Sequence, residues 1–261
     1  MDEEHLSRRH AERPELLAQP IGLHPGNLAT AGRRAQRGAM ALKRLEGLRV
    51  AVLAADGFEQ VEVTRPLKHL LRQGARVDIV SLHRGKIRGN KLLSPGIELR
   101  VNRTVDQVSA ANYDALFIPG GFVNPDFLRQ SEKAKVLVTA FDVAGKPIAT
   151  LCHGPWVLVS AGLVRDRKLA AWPGIQDDIR NAGGTWLDEP LVRDGNWVSS
   201  RSPLDLLQFE RGMTELFEEA PRRVSRGVRP RRFAQYRPRS ALAFLLGVGM
   251  EVVLRRRLLA A

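Results

Sequence analysis

The 261-residue chain has a single cysteine, Cys152. No disulfide can close within it, and C-x-x-C zinc or redox motifs are excluded. A lone thiol fits a reducing compartment, so a cytoplasmic location is expected. The chain also lacks an uninterrupted apolar run of the roughly 18 residues that a membrane-spanning helix needs. Ala241 to Leu254 comes nearest, but it is shorter and contains Glu251. The first residues are charged and place no apolar stretch ahead of a cleavage site, so no secretory signal is expected.

Positive charge is in excess, at a net +13. Its location matters more than its size. Pro221 to Ala261 holds eleven arginines against one acid, Glu251. Met1 to Gly47 carries eight basic and six acidic residues, which leaves Leu48 to Ala220 nearly neutral at +1. The basicity belongs to the tail and says little about the body. Nucleic-acid binding is not expected, because no recognised binding motif accompanies the charge. A weak contact of the tail with a membrane surface or an acidic partner is the alternative to an unselected extension.

Three regions follow. Residues 1–47 mix Pro, Gly, Arg and Ala without lasting periodicity, and are expected to be a disordered extension. Met40 stands just before the first strand, so a start set too far upstream and a functional arm are equal readings of that extension. Residues 48–220 are expected to form one folded domain, the part that would carry any catalysis, and residues 221–261 a basic, disordered tail.

In the body, apolar runs alternate with helical patterns. Leu48 to Ala54 reads as a strand buried on both faces, bounded by Asp56-Gly57. Glu59 to Gln73 has helical apolar spacing and ends at Gly74. Strands are expected at Arg76 to Leu82, Ala115 to Ile118 and Pro147 to Leu151, and a hairpin over Gly85 to Val101. Helices are expected at Ser131 to Ala144, Pro155 to Ala161, Trp172 to Ala182 and Pro203 to Glu219. Short strands fall around Trp186, Leu191 and Trp197. This alternation implies right-handed βαβ units, hence an α/β fold with a mainly parallel sheet covered on both faces. Ligands of such sheets bind beyond the carboxyl ends of the strands. Three polar or glycine-rich features lie there: Asp56 to Glu62, Gly120 to Asp126, and Cys152-His153.

The segment Ile148-Ala149-Thr150-Leu151-Cys152-His153-Gly154-Pro155 reads as strand, sharp turn, helix. A nucleophile at such an elbow is held exposed on a strained backbone. The following helix offers free N–H groups and the positive end of its dipole, which favour thiolate and lower the cysteine pKa. A lone cysteine is more often an inert core residue; the end-of-strand position and the adjacent His153 reverse that reading. Gly120, Gly121 and the N–H of His153 are candidate oxyanion donors. A tight turn with no ligand is the plain alternative for the glycine pair. Glu62 could hydrogen-bond to the sulfur, with a raised pKa, as donor when protonated. Glu59 is read as an ordinary acid at a helix start. Trp156, Trp172 and Trp197 are expected to pack the core rather than to line a substrate pocket.

These residues resemble the PfpI family, in the superfamily that includes the Parkinson-associated deglycase. The matching pieces are AADGFEQVEV, LFIPGG, NPDFLR, GKPIATLCHGPWVLVSAGLV, WPGIQDDIRNAGG and DGNWVSSRSPLDL. Together they span Leu48 to about Glu219. The resemblance implies a flavodoxin-like sandwich of the class I glutamine-amidotransferase-like type. It implies Cys152 as nucleophile, His153 as adjacent base or orienting group, and Glu62 as the acid that contacts the cysteine. It further implies a triad completed by an acid from a neighbouring subunit, at a position matched here by Asp126. Some family members carry Glu there, and Asp reaches less far. Homodimers, or hexamers built from them, are implied, with no cofactor and no metal.

Three activities follow from the resemblance. The first is glutathione-independent conversion of a small reactive carbonyl, or deglycation of adducts, begun by thiolate attack. The second is an intracellular cysteine peptidase; residues adjacent at an elbow often point apart, which counts against a Cys152–His153 peptidase pair. The third is a non-enzymatic redox sensor or chaperone that oxidises Cys152. The substrates implied are a small carbonyl, or a glycated protein or peptide.

Overall fold

A computed structural model of the chain describes residues 43–220. Most of the extension expected over 1–47, and all of the tail expected over 221–261, lie outside the described residues. Residues 43–47 belong to the body. Leu45 is buried in the core, and its N–H donates to the carbonyl of Gln73.

In chain order the elements are β1 (Arg49–Leu53), β2 (Phe58–Glu59), α1 (Gln60–Arg72), β3 (Arg76–Ser81), β4 (Lys86–Lys91), β5 (Ser94–Arg100) and β6 (Arg103–Thr104). They continue with β7 (Ala115–Ile118), α2 (Val123–Gln130), α3 (Glu132–Val143), β8 (Ile148–Leu151), α4 (Pro155–Ser160), β9 (Lys168–Leu169), α5 (Gln176–Asn181), β10 (Thr185–Trp186), β11 (Val192–Asp194), β12 (Trp197–Ser200) and α6 (Leu206–Glu218).

The central sheet has seven strands in the order β11-β12-β8-β7-β1-β3-β6. Every neighbouring pair is parallel except β11–β12. β4 and β5 form the expected hairpin, paired antiparallel with an irregularity between Arg88 and Asn90. β2 pairs with β4 in a separate small sheet.

Alternation along the strands sorts the core into two layers. Val50 and Val52 of β1, Phe117 of β7, Leu151 of β8 and Val198 of β12 meet Val63, Leu67 and Leu70 of α1 and Phe209, Met213 and Phe217 of α6. On the opposite face, Ala51, Leu53, Leu116, Ile118 and Ile148 meet Leu137, Val138 and Phe141 of α3 and Val157 and Leu158 of α4. This is the covered parallel sheet that continuous apolar strands demand.

Several elements differ from the sequence reading, among them the two-residue strands β2, β6 and β9, which it did not anticipate. α2 was not anticipated, because Asn124-Pro125 reads as a loop. Pro125 falls in the first turn, where a missing N–H costs little. The helix expected over Trp172 to Ala182 is instead a 3₁₀ turn (Pro173–Ile175) followed by α5. Among the described residues, no helix is long and apolar enough to cross a membrane.

Candidate active site

β1, β7 and β8 are neighbours in the middle of the sheet, and the loops leaving their carboxyl ends converge. Cys152 follows β8 directly. It has φ +58°, a left-handed conformation that a non-glycine residue adopts only when its surroundings enforce it. Three bonds enforce it here. The Cys152 N–H donates to Ser200 O (3.0 Å), the Gly154 N–H to Leu151 O (2.9 Å), and the Trp172 N–H to Cys152 O (2.9 Å). The strained elbow expected from sequence is present. The sulfur is not held out to solvent, however: Cys152 is only 5% exposed.

Glu62, in the first turn of α1, is fully buried, and its carboxylate contacts the Cys152 thiol. Its Oε2 accepts the N–H of Gly120 at 2.9 Å. The backbone N–H groups of Gly121 and His153 also point at the sulfur. Sequence reading offered the N–H groups of Gly120, Gly121 and His153 as oxyanion donors. In the structure the Gly120 donor is engaged by Glu62, so the N–H groups that face the sulfur are those of Gly121 and His153.

The glycines are required by space. A Cβ on Gly120 would stand 2.5 Å from Glu62 Oε2 and 2.6 Å from Cys152 Cβ. The loop that carries them is clamped by Asn124 of α2. Asn124 Nδ2 donates to the carbonyls of Pro119 (2.8 Å) and Gly120 (3.0 Å), and its Oδ1 accepts the Ala55 N–H at 2.7 Å. Asn124 is fully buried and ties the ends of β1 and β7 together. Sequence reasoning gave it no role. Its only signal was a polar residue just beyond a Pro-Gly-Gly at a strand end.

Electrostatics correct one expectation. Burial, followed by the charge and hydrogen bond of Glu62, pushes the Cys152 thiol well above its usual value; the N–H groups of Gly121 and His153 pull the other way but do not prevail. The helix-dipole argument underestimated two things. α4 is only six residues long, and the nearest full charge is a carboxylate.

His153 reaches the sulfur, contrary to the expectation that the two side chains diverge: Nδ1 lies 3.3 Å from Sγ. Burial lowers the imidazole pKa to about 4, so the ring is neutral at physiological pH. It stacks on Trp172 (5.6 Å, 22°) and meets Trp156 (5.3 Å) and Phe122 (5.6 Å) edge-on. Trp156 and Trp172 therefore pack around the candidate base. Trp197, 1% exposed, is the core residue expected.

Protonating this histidine is easier in the unfolded chain, whose pKa is near 6.5, than in the folded one. Its contribution to stability is thus complete above about pH 6.5 and is lost as pH falls toward 4. His153→Gln is expected to lose less melting temperature than the wild type between pH 7.5 and pH 4.5. His69, also lowered by burial, retains its share in both proteins. Equal losses would show that His153 is not held neutral by the fold.

Asp126 is exposed on α2, where it accepts a bond from Gln130 Nε2 at 3.0 Å. Within one chain it does not join His153, whose side chain hydrogen-bonds only Cys152 among the described residues. Glu59 stands at the N-cap of α1, the helix start expected for it, but its side chain makes no capping bond; its Oε2 accepts the Leu92 N–H at 2.9 Å and fastens the hairpin. Among the described residues, no three His, Cys, Asp or Glu side chains are grouped to hold a metal ion.

Residues 48–216 match the sequence model of the DJ-1/PfpI family. The chain belongs to this family. It is 41% identical over 169 residues to "Deglycase TK1284" of Thermococcus kodakarensis, covering 65% of this chain and 99% of that protein. It is 40% identical over 171 residues to "Deglycase PfpI" of Pyrococcus furiosus, covering 66% of this chain and all of that protein. Among solved structures, it is similar to a two-domain protein from Anabaena variabilis with DJ-1/ThiJ/PfpI-like and ferritin-like domains. The TM-score is 0.63 and the identity 30%, over 69% of this chain and about half (52%) of that one. The α/β, flavodoxin-like architecture read from sequence is that of the family, and its deglycase relatives make this chain an enzyme of the DJ-1/PfpI type.

Proposed function

We propose that the enzyme acts on reactive carbonyls through Cys152, as a glutathione-independent glyoxalase or a deglycase. The observation that carries this reading is a buried carboxyl and a buried thiol in contact, with two backbone N–H groups aimed at the sulfur. Two acids this close do not both ionise in a site closed to water. One proton serves the pair. When it resides on Glu62, the sulfur is a thiolate with three donors around it: the Glu62 O–H and the N–H groups of Gly121 and His153.

The cycle then balances without a redox partner. The thiolate adds to the aldehyde carbon of methylglyoxal, forming a C–S bond, and the carbonyl oxygen takes the proton from Glu62 to give a hemithioacetal. The carboxylate so formed, or the neutral His153, removes the hydrogen on that carbon and returns a proton to the adjacent carbon, while the hydroxyl proton passes from the first oxygen to the second through the enediol. The product is a lactoyl thioester. Water cleaves it, releasing lactate and restoring the thiol–carboxyl pair. A glycation adduct that exposes the same carbonyl enters by the same first step.

The test is D-lactate formation from methylglyoxal by the full chain. Turnover is expected in the wild type, and its loss in Cys152→Ala. Turnover that survives in Cys152→Ala would defeat the proposal. A second reading, peptidase, gains from the 3.3 Å approach of His153 to the sulfur. It requires an acid on the far side of the imidazole. Asp126 of a neighbouring copy in a homodimer or hexamer is the candidate, and casein cleavage lost in Asp126→Asn would favour that reading.

A further inference from the structure

The hairpin and its surroundings hold a charge that the body as a whole does not. Between Arg84 and Thr104 there are six basic residues and one acid, Glu98, within a body whose net charge is about +1. Glu98 pairs with both Lys86 (2.9 Å) and Arg88 (2.8 Å). Arg84, Arg100 and Arg103 make no ion pair or side-chain hydrogen bond among the described residues, and all three line one polar cleft of about 300 Å³.

The two amides of this cleft use their oxygens on backbone N–H groups and keep their NH₂ donors, while the Thr104 hydroxyl is engaged by Asp106. Asn102 uses Oδ1 to accept the Ile79 N–H at 2.7 Å, and Gln107 uses Oε1 to accept the Thr104 N–H at 3.2 Å. Those bonds fix which way each amide points, leaving two NH₂ groups as donors. Asp106, whose charge interacts with Arg84, is held by the Thr104 hydroxyl and is not among the residues that line the cleft. Three guanidiniums outside any ion pair and two amide NH₂ groups make a lining rich in donors, which suits an oxyanion rather than a cation or an apolar group.

The cleft opens where the chain leaves the carboxyl end of β3 and meets β6, on the same side of the sheet as Cys152. Three strand spacings separate β3 from β8, roughly 14 Å. A small carbonyl cannot bridge that distance, so this is a second site rather than part of the elbow.

We propose that this cleft binds the phosphate group of a small phosphorylated ligand. The volume is at the lower end for small-molecule sites, and planar guanidiniums match phosphate oxygens in pairs.

The experiment is calorimetric titration of the full chain with inorganic phosphate and, separately, with glycerol phosphate, at constant ionic strength set by chloride. One saturable site per chain is expected. Arg100→Gln/Arg103→Gln should weaken it about tenfold or more, while Arg255→Gln/Arg256→Gln in the basic tail leaves it unchanged. Tighter binding of the ester would make the ligand a phosphate monoester; equal or tighter binding of inorganic phosphate would make it the free anion. Unsaturable heats, an unchanged affinity in the cleft variant, or a loss that follows the tail variant would overturn the proposal. Should the double variant fail to fold by its thermal melt, the single Arg84→Gln in the exposed turn reads the same loss at smaller size; no loss there refutes it equally.

Discussion

Glu62→Gln is expected to separate two properties of Cys152. Carbonyl turnover should fall by about 10²–10⁴, the usual contribution of a positioned acid–base group. Alkylation by iodoacetamide at neutral pH should persist or accelerate. The reason lies in the sign of the neighbour. The carboxylate is one of the causes that push the thiol upward, second only to burial. An amide of the same shape removes the charge and can still donate to the sulfur, so thiolate becomes easier to form. What the amide cannot do is give up a proton and take it back. The Gly120 N–H loses little, because the amide oxygen can accept it as Oε2 does at 2.9 Å. Measuring both rates on the same preparation therefore isolates proton transfer from nucleophile formation. Turnover kept in the variant would remove Glu62 from the chemistry. Alkylation lost together with turnover would instead mean that the carboxyl acts by holding the sulfur in place.

Gly121→Ala should produce the largest loss of stability among single substitutions at the site, about 3–5 kcal/mol. Two independent penalties combine there. Gly121 has φ +92°, which L-residues rarely adopt. A Cβ at this position would stand 2.4 Å from Glu59 N and 2.5 Å from Gly57 O. Both are backbone atoms that cannot swing aside as a flexible side chain would. For a body of this size the melting temperature should drop by roughly 10 °C or more. Gly145→Ala provides the contrast. It also has positive φ (+61°), but a Cβ there meets nothing within 4 Å, so only strain of about 1 kcal/mol is expected. Similar melting temperatures for the two variants would show that the β7 loop can yield, and that the N–H of Gly121 is not rigidly aimed at the sulfur.

How much of this was legible beforehand differs between fold and site. The strands at Ala115 to Ile118 and Ile148 to Leu151 were readable because a strand buried on both faces must be apolar throughout, and both are bounded by Gly or Pro. The elbow was readable because an apolar run that stops at Cys-His-Gly-Pro has few other shapes. α2 was not readable, since its eight residues include a proline and their short apolar pattern matches a loop equally well. Nor was the role of Asn124, because its bond to the N–H of Ala55, 69 residues away, is what ties the two strand ends together.

The amino-acid order by itself determined the parallel sheet, the cysteine at a strand end and the near-neutral body, because each depends on patterns local to a few neighbouring residues. Tertiary structure alone decided the direction of the thiol's pKa, which backbone N–H groups face the sulfur, and the contact between His153 and the sulfur. These depend on which charge lies closest and which N–H is already taken, and Glu62 stands 90 residues from Cys152 in the chain. Packing around β1, β7 and β8 brings them together in a dry site, where a few ångströms reverse an electrostatic sign that a helix terminus in water would have set.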